Sequence, residues 1–160
     1  MDQLIKDKAQ KVIEEYLSEN FEKENVFFDG SLDKEKAYVC HHRKRFFSLL
    51  NYLSPKIKKG VRVLDVGVSP FSFILKRIFP NVSLTVVDLT EDFNERCKKY
   101  GINFIRHDLG KFPFPFSKNY FDLIIFGEIL EHLLADHGLI LKELEGILKR
   151  GGRIILQTPN

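Results

Sequence analysis

Four short runs place ligand-capable residues directly after apolar stretches. In VLDVGVSPFSF (63–73), Asp65 is followed by Gly67, Ser69 and Pro70. A glycine at such a bend lets backbone come close to a ligand, and the N–H groups that open the next helix are unpaired donors. Pro70 suits that first helical turn, where its missing N–H costs nothing. In TVVDL, Asp88 ends a second apolar run, 21 residues after Gly67. An acid so placed can accept hydrogen bonds from both hydroxyls of a ribose, and a neutral side chain would forfeit two charge-assisted bonds. In RHDL, Asp108 could accept from the amino group of an adenine while Leu109 packs on the ring. In GEILEHL (127–133), Gly127, Glu128, Glu131 and His132 fall together. His132 could act as a general base, because its unperturbed pKa lies near neutrality. Glu128 and His132 are four apart and would share a helix face, as metal ligands do. No further ligand is visible, so no metal is expected.

Each run also has a plainer explanation. Residues 63–73 could be an ordinary strand-to-helix turn, Asp88 a helix cap, Asp108 a loop turn, and 127–133 a capped, solvated helix start. On spacing alone both explanations stay open at the other runs, while at Asp108 the loop turn is the favoured one. What favours a ligand is that all four runs end on the same kind of element.

The elements that must position these residues follow from periodicity. Leu4, Ile5, Ala9, Val12, Ile13, Tyr16 and Leu17 recur every three to four residues, one apolar face of a helix. Asn20 to Lys34 loses that period and carries the turn signal Asp29-Gly30-Ser31. A second helix is predicted from Lys34 to Leu53, stopped at Ser54-Pro55 because the residue before proline is pushed out of the helical region. From Val61 onward, short apolar runs alternate with helical patterns. Strands are predicted at 61–66, 82–89, 102–106, 121–127 and 153–158. Helices are predicted at 71–79, 91–100 with Gly101 as its stop, and 134–148 closed by Gly151-Gly152. Residues 107–120 read mostly as loop, and Pro159-Asn160 as the end. Alternation of this kind implies an α/β fold, a doubly wound, mostly parallel sheet with an N-terminal helical extension. The expected division is a helical cap at 1–58 and a sheet domain at 59–160. Such a sheet binds ligands beyond the carboxyl ends of its strands, where all four runs lie.

Composition narrows the class. With 160 residues, 44% hydrophobic and 29% charged, the chain fits one globular domain and not a disordered one. No apolar run approaches the length of a membrane span, and the charged N-terminus lacks a signal-peptide core. Cys40 and Cys97 are too few for a zinc cluster or a disulfide scaffold, so a cytoplasmic protein with reduced thiols is expected. A net charge of +3 is too mild to argue for nucleic acid by itself. Tyr38, His41, His42, Arg43 and Arg45 crowd one stretch of the second helix. They could meet an anion, RNA included, or form the solvated face of an amphipathic helix, the simpler explanation. The FPFPF loop (112–116) could line an apolar pocket or pack the core.

Taken together, residues 61–159 resemble a class I S-adenosylmethionine-dependent methyltransferase with a Rossmann-like fold. The first run resembles that family's strand-one motif, with Asp65 and Gly67 at matching places and Ser69 and Phe71 where glycines are usual. The strand-two acid matches Asp88, followed by Leu89, and the loop acid matches Asp108. FDLIIFGEILEHL matches the fourth motif, and LKELEGILKRGGRIILQTPN the helix, Gly-Gly turn and fifth strand. The resemblance implies Asp88 on the cofactor ribose and the Gly67 backbone near its methionine end. It implies Asp108 and Leu109 around the adenine, and Glu128 facing the methionine amine or the acceptor. Asp65, Ser69, Leu89 and Gly127 complete the expected cofactor cradle. His132 and Glu128 are the expected catalytic groups, acting on a small-molecule acceptor. The family usually adds two strands after the fifth, the last antiparallel. Strand five is therefore expected at an exposed edge, open to a second copy or to the rest of a longer protein. Two other classes fit less: a non-catalytic binding or assembly module on the same sheet, and a nicotinamide-dependent oxidoreductase, which would want G-x-G-x-x-G where this chain has Gly67-Val68-Ser69-Pro70-Phe71-Ser72.

Overall fold

A computed structural model describes residues 3–19 and 26–158. Part of the segment from Asn20 to Lys34, namely 20–25, and the terminal Pro159-Asn160 lie outside the described residues. The chain forms two compact units, one of residues up to 59 with 69–81, the other of residues 60–68 with those from 82 onward.

In the helical unit, α1 (Gln3–Ser18) buries Ala9, Val12, Ile13 and Tyr16 of the stripe read from the sequence, while Ile5 and Leu17 are half-buried and Leu4, in its first turn, is exposed. A short helix α2 (Phe27–Gly30) stands where only a turn was expected. Helix α3 (Leu32–Leu53) starts two residues before the predicted Lys34, because the Ser31 hydroxyl accepts the Lys34 amide and caps it. Its inward face is Val39, Phe46, Leu49, Leu50 and Leu53. Helix α4 (Pro70–Ile78) is buried along almost its whole length and packs on α1 and α3. The buried Glu35 carboxylate accepts from the Tyr16 hydroxyl at 2.5 Å and the Phe27 amide at 2.9 Å, tying all three N-terminal helices together.

The sheet unit holds β1 (Arg62–Val66), β2 (Ser83–Asp88), β3 (Asn103–Arg106), β4 (Phe121–Gly127) and β5 (Leu148–Gln157). All pair in parallel, in the order β3-β2-β1-β4-β5. The chain winds outward from β1 through β2 to β3, then returns to the other side of β1 for β4 and β5. The switch in strand order therefore falls between β1 and β4. The central strands are near-continuous apolar runs because parallel strands are covered on both faces. Leu64, Val66, Val87, Phe121, Ile124 and Phe126 form the core with Ile140, Leu144 and Ile147 of α6 (His137–Ile147).

In the sheet unit, three boundaries differ by more than one residue from the sequence prediction, each for a local reason. Helix α5 (Asn94–Lys99) is shorter than 91–100 because Thr90 and Asp92 form a turn of their own, Thr90 Oγ1 donating to Asp92 Oδ2 at 2.8 Å. Helix α6 starts at 137 because Asp136 Oδ1 accepts the Gly138 and Leu139 amides at 2.7 and 3.1 Å. Strand β5 begins at Leu148 and runs through the two glycines, which form an irregularity: Phe121 pairs with Leu148, and Leu123 already with Arg153. Gly151 takes φ +79°, and a Cβ on Gly152 would lie 2.7 Å from Leu148 Cγ. The glycine pair thus bends the strand instead of stopping the helix. Strand β5 is an edge of the described sheet, with Leu156 exposed on it.

Candidate functional site

The first bend does what its glycine requires. Gly67 takes φ +80°, donates its amide to Val87 O at 2.8 Å, and a Cβ there would sit 2.6 Å from Ile129 Cδ1. The left-handed backbone would strain a residue that carries a Cβ, and the Ile129 side chain would have to move to admit it. The turn is then fastened to β2: the Val68 amide donates to Asp88 Oδ2 at 2.9 Å. Asp88 Oδ1 accepts the Thr90 amide at 3.2 Å, and Asp88 O accepts the His107 amide at 2.8 Å. The end of β2 is therefore the joint between the β1 turn and the residue that follows β3. Each carboxylate oxygen uses one protein donor and keeps a second acceptor site. Asp88 is half-buried, and Leu89 beside it is 60% exposed. Arg106 Nε donates to Leu89 O at 3.2 Å.

Asp108 accepts the Gly110 amide at 2.9 Å and its own carbonyl accepts the Lys111 amide at 2.9 Å, so it closes a tight turn. Leu109 packs partly on the apolar core. Asp65 is buried in the body of β1, its Cα opposite Val86 and Ile125. Ser69 is extended, and its amide donates to Ser72 Oγ at 3.2 Å at the start of α4. Phe71 is buried within the helical unit, its ring centroid 5.2 Å from that of Phe46.

The fourth run departs from the sequence expectation. Gly127 ends β4, and Glu128 takes φ +58° with its amide donating to Gln157 O at 2.8 Å. A separate three-residue 3-10 turn, Leu130–His132, follows. Glu128 and His132 therefore do not share a helix face, because the left-handed backbone at Glu128 breaks any helical run between them. The His132 side chain is 75% exposed, its Nε2 3.9 Å from Glu131 Oε1. Among the described residues, no three His, Cys, Asp or Glu side chains are grouped as metal ligands.

Two further groups separate into their alternatives. Arg45 Nη2 donates to Tyr38 OH at 2.8 Å, Tyr38 and His42 rings lie 4.3 Å apart, and Arg43 is 3.8 Å from Glu14. These side chains are thus engaged with one another and with α1. In the FPFPF loop, Phe114 is core, its amide held by Glu143 Oε2 at 3.0 Å, while Phe112 stacks on it and stays exposed.

Burial first pushes the Cys97 thiol up to about 12, with Arg96 pulling it down and Asp65 and Asp88 pushing it further up. Sequence reasoning passed over three residues here. Ile129 fills the space under Gly67, Gln157 holds Glu128, and Arg96 lies buried beside Cys97. Ile129 and Gln157 are ordinary residues in sequence and give no signal. Arg96 could have been suspected from its place next to Cys97 on the inward side of a short helix.

Comparison with known proteins bears on this geometry. A family model described as a methyltransferase domain matches residues 64–156. No functionally curated protein shows significant sequence similarity to the chain. Among solved structures, a Pyrococcus horikoshii protein is 31% identical, with a TM-score of 0.56 over 72% of this chain and 57% of that one. The YcgJ protein of Bacillus subtilis is 22% identical, TM-score 0.57, over 71% and 50%. A Thermotoga maritima S-adenosylmethionine-dependent methyltransferase, described as a possible histamine N-methyltransferase, is 23% identical, TM-score 0.58, over 78% and 56%. The chain spans about half the length of these structures. With the family model covering more than half of its length and the parallel sheet as its core, the chain belongs to the methyltransferase domain family.

Proposed function

We propose that the chain binds S-adenosylmethionine at the carboxyl ends of β1 to β4 and serves methyl transfer to a small-molecule acceptor. The observation that carries this reading is the Val68 amide on Asp88 Oδ2 at 2.9 Å. It joins the glycine turn after β1 to the strand-two acid in one rim at the carboxyl ends of the strands, beside the switch in strand order, the ligand position of this sheet class. The residues fit the group. Gly67 follows β1 in the left-handed conformation and Gly127 ends β4, Asp88 retains acceptor capacity, and Leu89 offers an exposed apolar surface.

The bound sulfonium supplies a methyl group that is already activated, so the protein's work is to hold donor and acceptor in line and exclude water. Asp88 would accept the ribose hydroxyls. Leu89, Asp108 and Leu109 would take the adenine. The Gly67 turn and Ser69 would border the methionine portion, with Asp65 acting from behind β1 and Glu128 meeting the amine or the acceptor. His132 would take the proton of a hydroxyl acceptor. An amine or carbon acceptor would need positioning alone. A small acceptor is preferred to RNA because Arg43 and Arg45 are already engaged within the helical unit. The cytoplasm, where thiols stay reduced, suits the two free cysteines.

Mass spectrometry of the purified, denatured protein tests the reading. S-adenosylmethionine or its demethylated product should be released in near-stoichiometric amount, or be retained after incubation and gel filtration. Failure to retain either would remove the proposal. Retention without transfer to any of a panel of hydroxyl and amine acceptors would favour the binding-module alternative.

A further inference from the structure

His107 follows β3 and precedes Asp108 and Leu109, the residues proposed to take the adenine. Its backbone amide donates to Asp88 O at 2.8 Å, which ties it to the end of β2. Its ring makes two further contacts. Nε2 lies 2.9 Å from Lys111 O, and the ring meets Phe114 edge-on, with centroids 5.4 Å apart and planes at 74°. Phe114 is buried, and Glu143 of α6 holds its amide at 3.0 Å, so the imidazole rests on a fixed part of the core. Lys111 is thereby held twice: Asp108 O accepts its amide at 2.9 Å, and His107 takes its carbonyl. A carbonyl only accepts, so Nε2 must carry the proton, and in the neutral ring Nδ1 then carries none. The turn 108–111 needs such a fastening because β3 is an edge of the described sheet, with a strand neighbour on one side only.

We infer that His107 is a positioning residue for the adenine end of the cofactor site: its imidazole clasps the turn 108–111 to Phe114 and so fixes where Asp108 and Leu109 stand. The inference rests on the cofactor site proposed above and adds to it a residue that need not touch the cofactor. Asp108 Oδ1 is used on the Gly110 amide at 2.9 Å, which leaves Oδ2 for the exocyclic amino group of the base. That bond distinguishes adenine from hypoxanthine, which has an oxygen in place of the amino group, only while the carboxylate is held in one place. A turn ordered before the ligand arrives spares the ligand that ordering cost. Histidine suits the position because a flat ring packs on Phe114 and carries its donor at the far edge. The same residue joins the two parts of the nucleoside site, since its amide is on the carbonyl of Asp88, the acid proposed for the ribose.

Two measurements test it. The first needs no ligand: nitrogen NMR of the His107 ring in the parent protein, at a pH where the ring is neutral, should show Nε2 protonated and Nδ1 bare. A ring protonated on Nδ1 would overturn the clasp. The second compares methylthioadenosine with methylthioinosine, which differ only in the base, by calorimetric titration of the parent, His107→Phe and His107→Gln. H107F keeps a ring and loses the donor, while H107Q loses the ring and keeps an N–H of similar reach. The parent should prefer the adenine form about tenfold, and H107F should narrow that preference to about twofold, the loss expected when one hydrogen bond no longer holds its partner in place. H107Q should restore most of it. An equal loss for both compounds in H107F, with the preference unchanged, would make His107 a packing residue and overturn the positioning role. A parent that binds both compounds equally would overturn it too. A parent that binds neither compound and no S-adenosylmethionine removes the cofactor reading and the positioning role with it, whereas an unchanged preference in a binding protein removes the positioning role alone.

Discussion

The Asp88 carboxylate accepts the Val68 amide at 2.9 Å, so the residue proposed to bind the ribose also anchors the turn that would face the rest of the cofactor. Binding and local order are thereby coupled. A substitution at Asp88 acts on both, and the turn's own geometry can be probed without touching the acid.

Gly67→Ala is the direct probe of that turn. The φ of +80° and the 2.6 Å approach to Ile129 Cδ1 should together destabilise the protein by about 1–3 kcal/mol. Ile129→Val removes the clashing methyl and leaves the strained φ. The double variant should therefore recover part of the loss in thermal denaturation. Equal stability of G67A and the parent would show that the turn is not constrained as described.

Thiol reactivity separates the two cysteines. Cys97 is buried with its pKa pushed up to about 12, while Cys40 is exposed on α3. A thiol reagent at neutral pH should label one cysteine quickly in the native protein and the second only on unfolding. Rapid labelling of Cys97 in the native state would contradict its burial.

Acid stability should depend on Asp122. Burial pushes its carboxyl up, but the hydrogen bonds from Lys149 Nζ at 2.5 Å and the Arg62 amide at 2.8 Å, with both charges, outweigh burial and leave it below the ordinary value. A depressed folded-state pKa adds stability above the unfolded-state value, near 4, and that stability is lost as the pH falls through the folded value. Asp122→Asn should therefore be less stable than the parent at pH 7, with the difference shrinking below about pH 4. A difference that is constant with pH would show that the charge contributes nothing.

His132 offers a test of how the reaction would proceed. It is 75% exposed and lies off any shared face with Glu128. If the acceptor is a hydroxyl, His132→Ala should lower turnover by about 100-fold with little change in cofactor affinity. With an amine acceptor the same substitution should leave turnover within about threefold, since no base is then needed.

The sheet was legible because parallel strands must be apolar along their length, and runs such as VRVLDV and FDLIIFG have few other uses. The α3 core face was legible for the same reason, since Val39, Phe46, Leu49 and Leu50 keep one helical stripe. What misled were residues with two uses. The Gly151-Gly152 pair fits a helix stop as well as a strand irregularity, and only pairing with β4 decides between them. The spacing of Glu128 and His132 fits a helix, but Glu128 takes a left-handed backbone and its amide bonds Gln157 O, a long-range contact that no local pattern carries. The spacing of Gly67 and Asp88 was legible, but not that the turn and the acid are bonded. The bond itself comes from the Val68 amide, a backbone group that carries no side-chain signal.

Isothermal titration of S-adenosylmethionine into the parent protein and Asp88→Asn tests the central claim most directly. The parent should bind with measurable heat, and the neutral variant should bind about 10–100-fold more weakly, the cost of losing charged acceptors for two hydroxyls. No heat from the parent at millimolar cofactor, or equal affinity in a folded Asp88→Asn protein, would contradict the account.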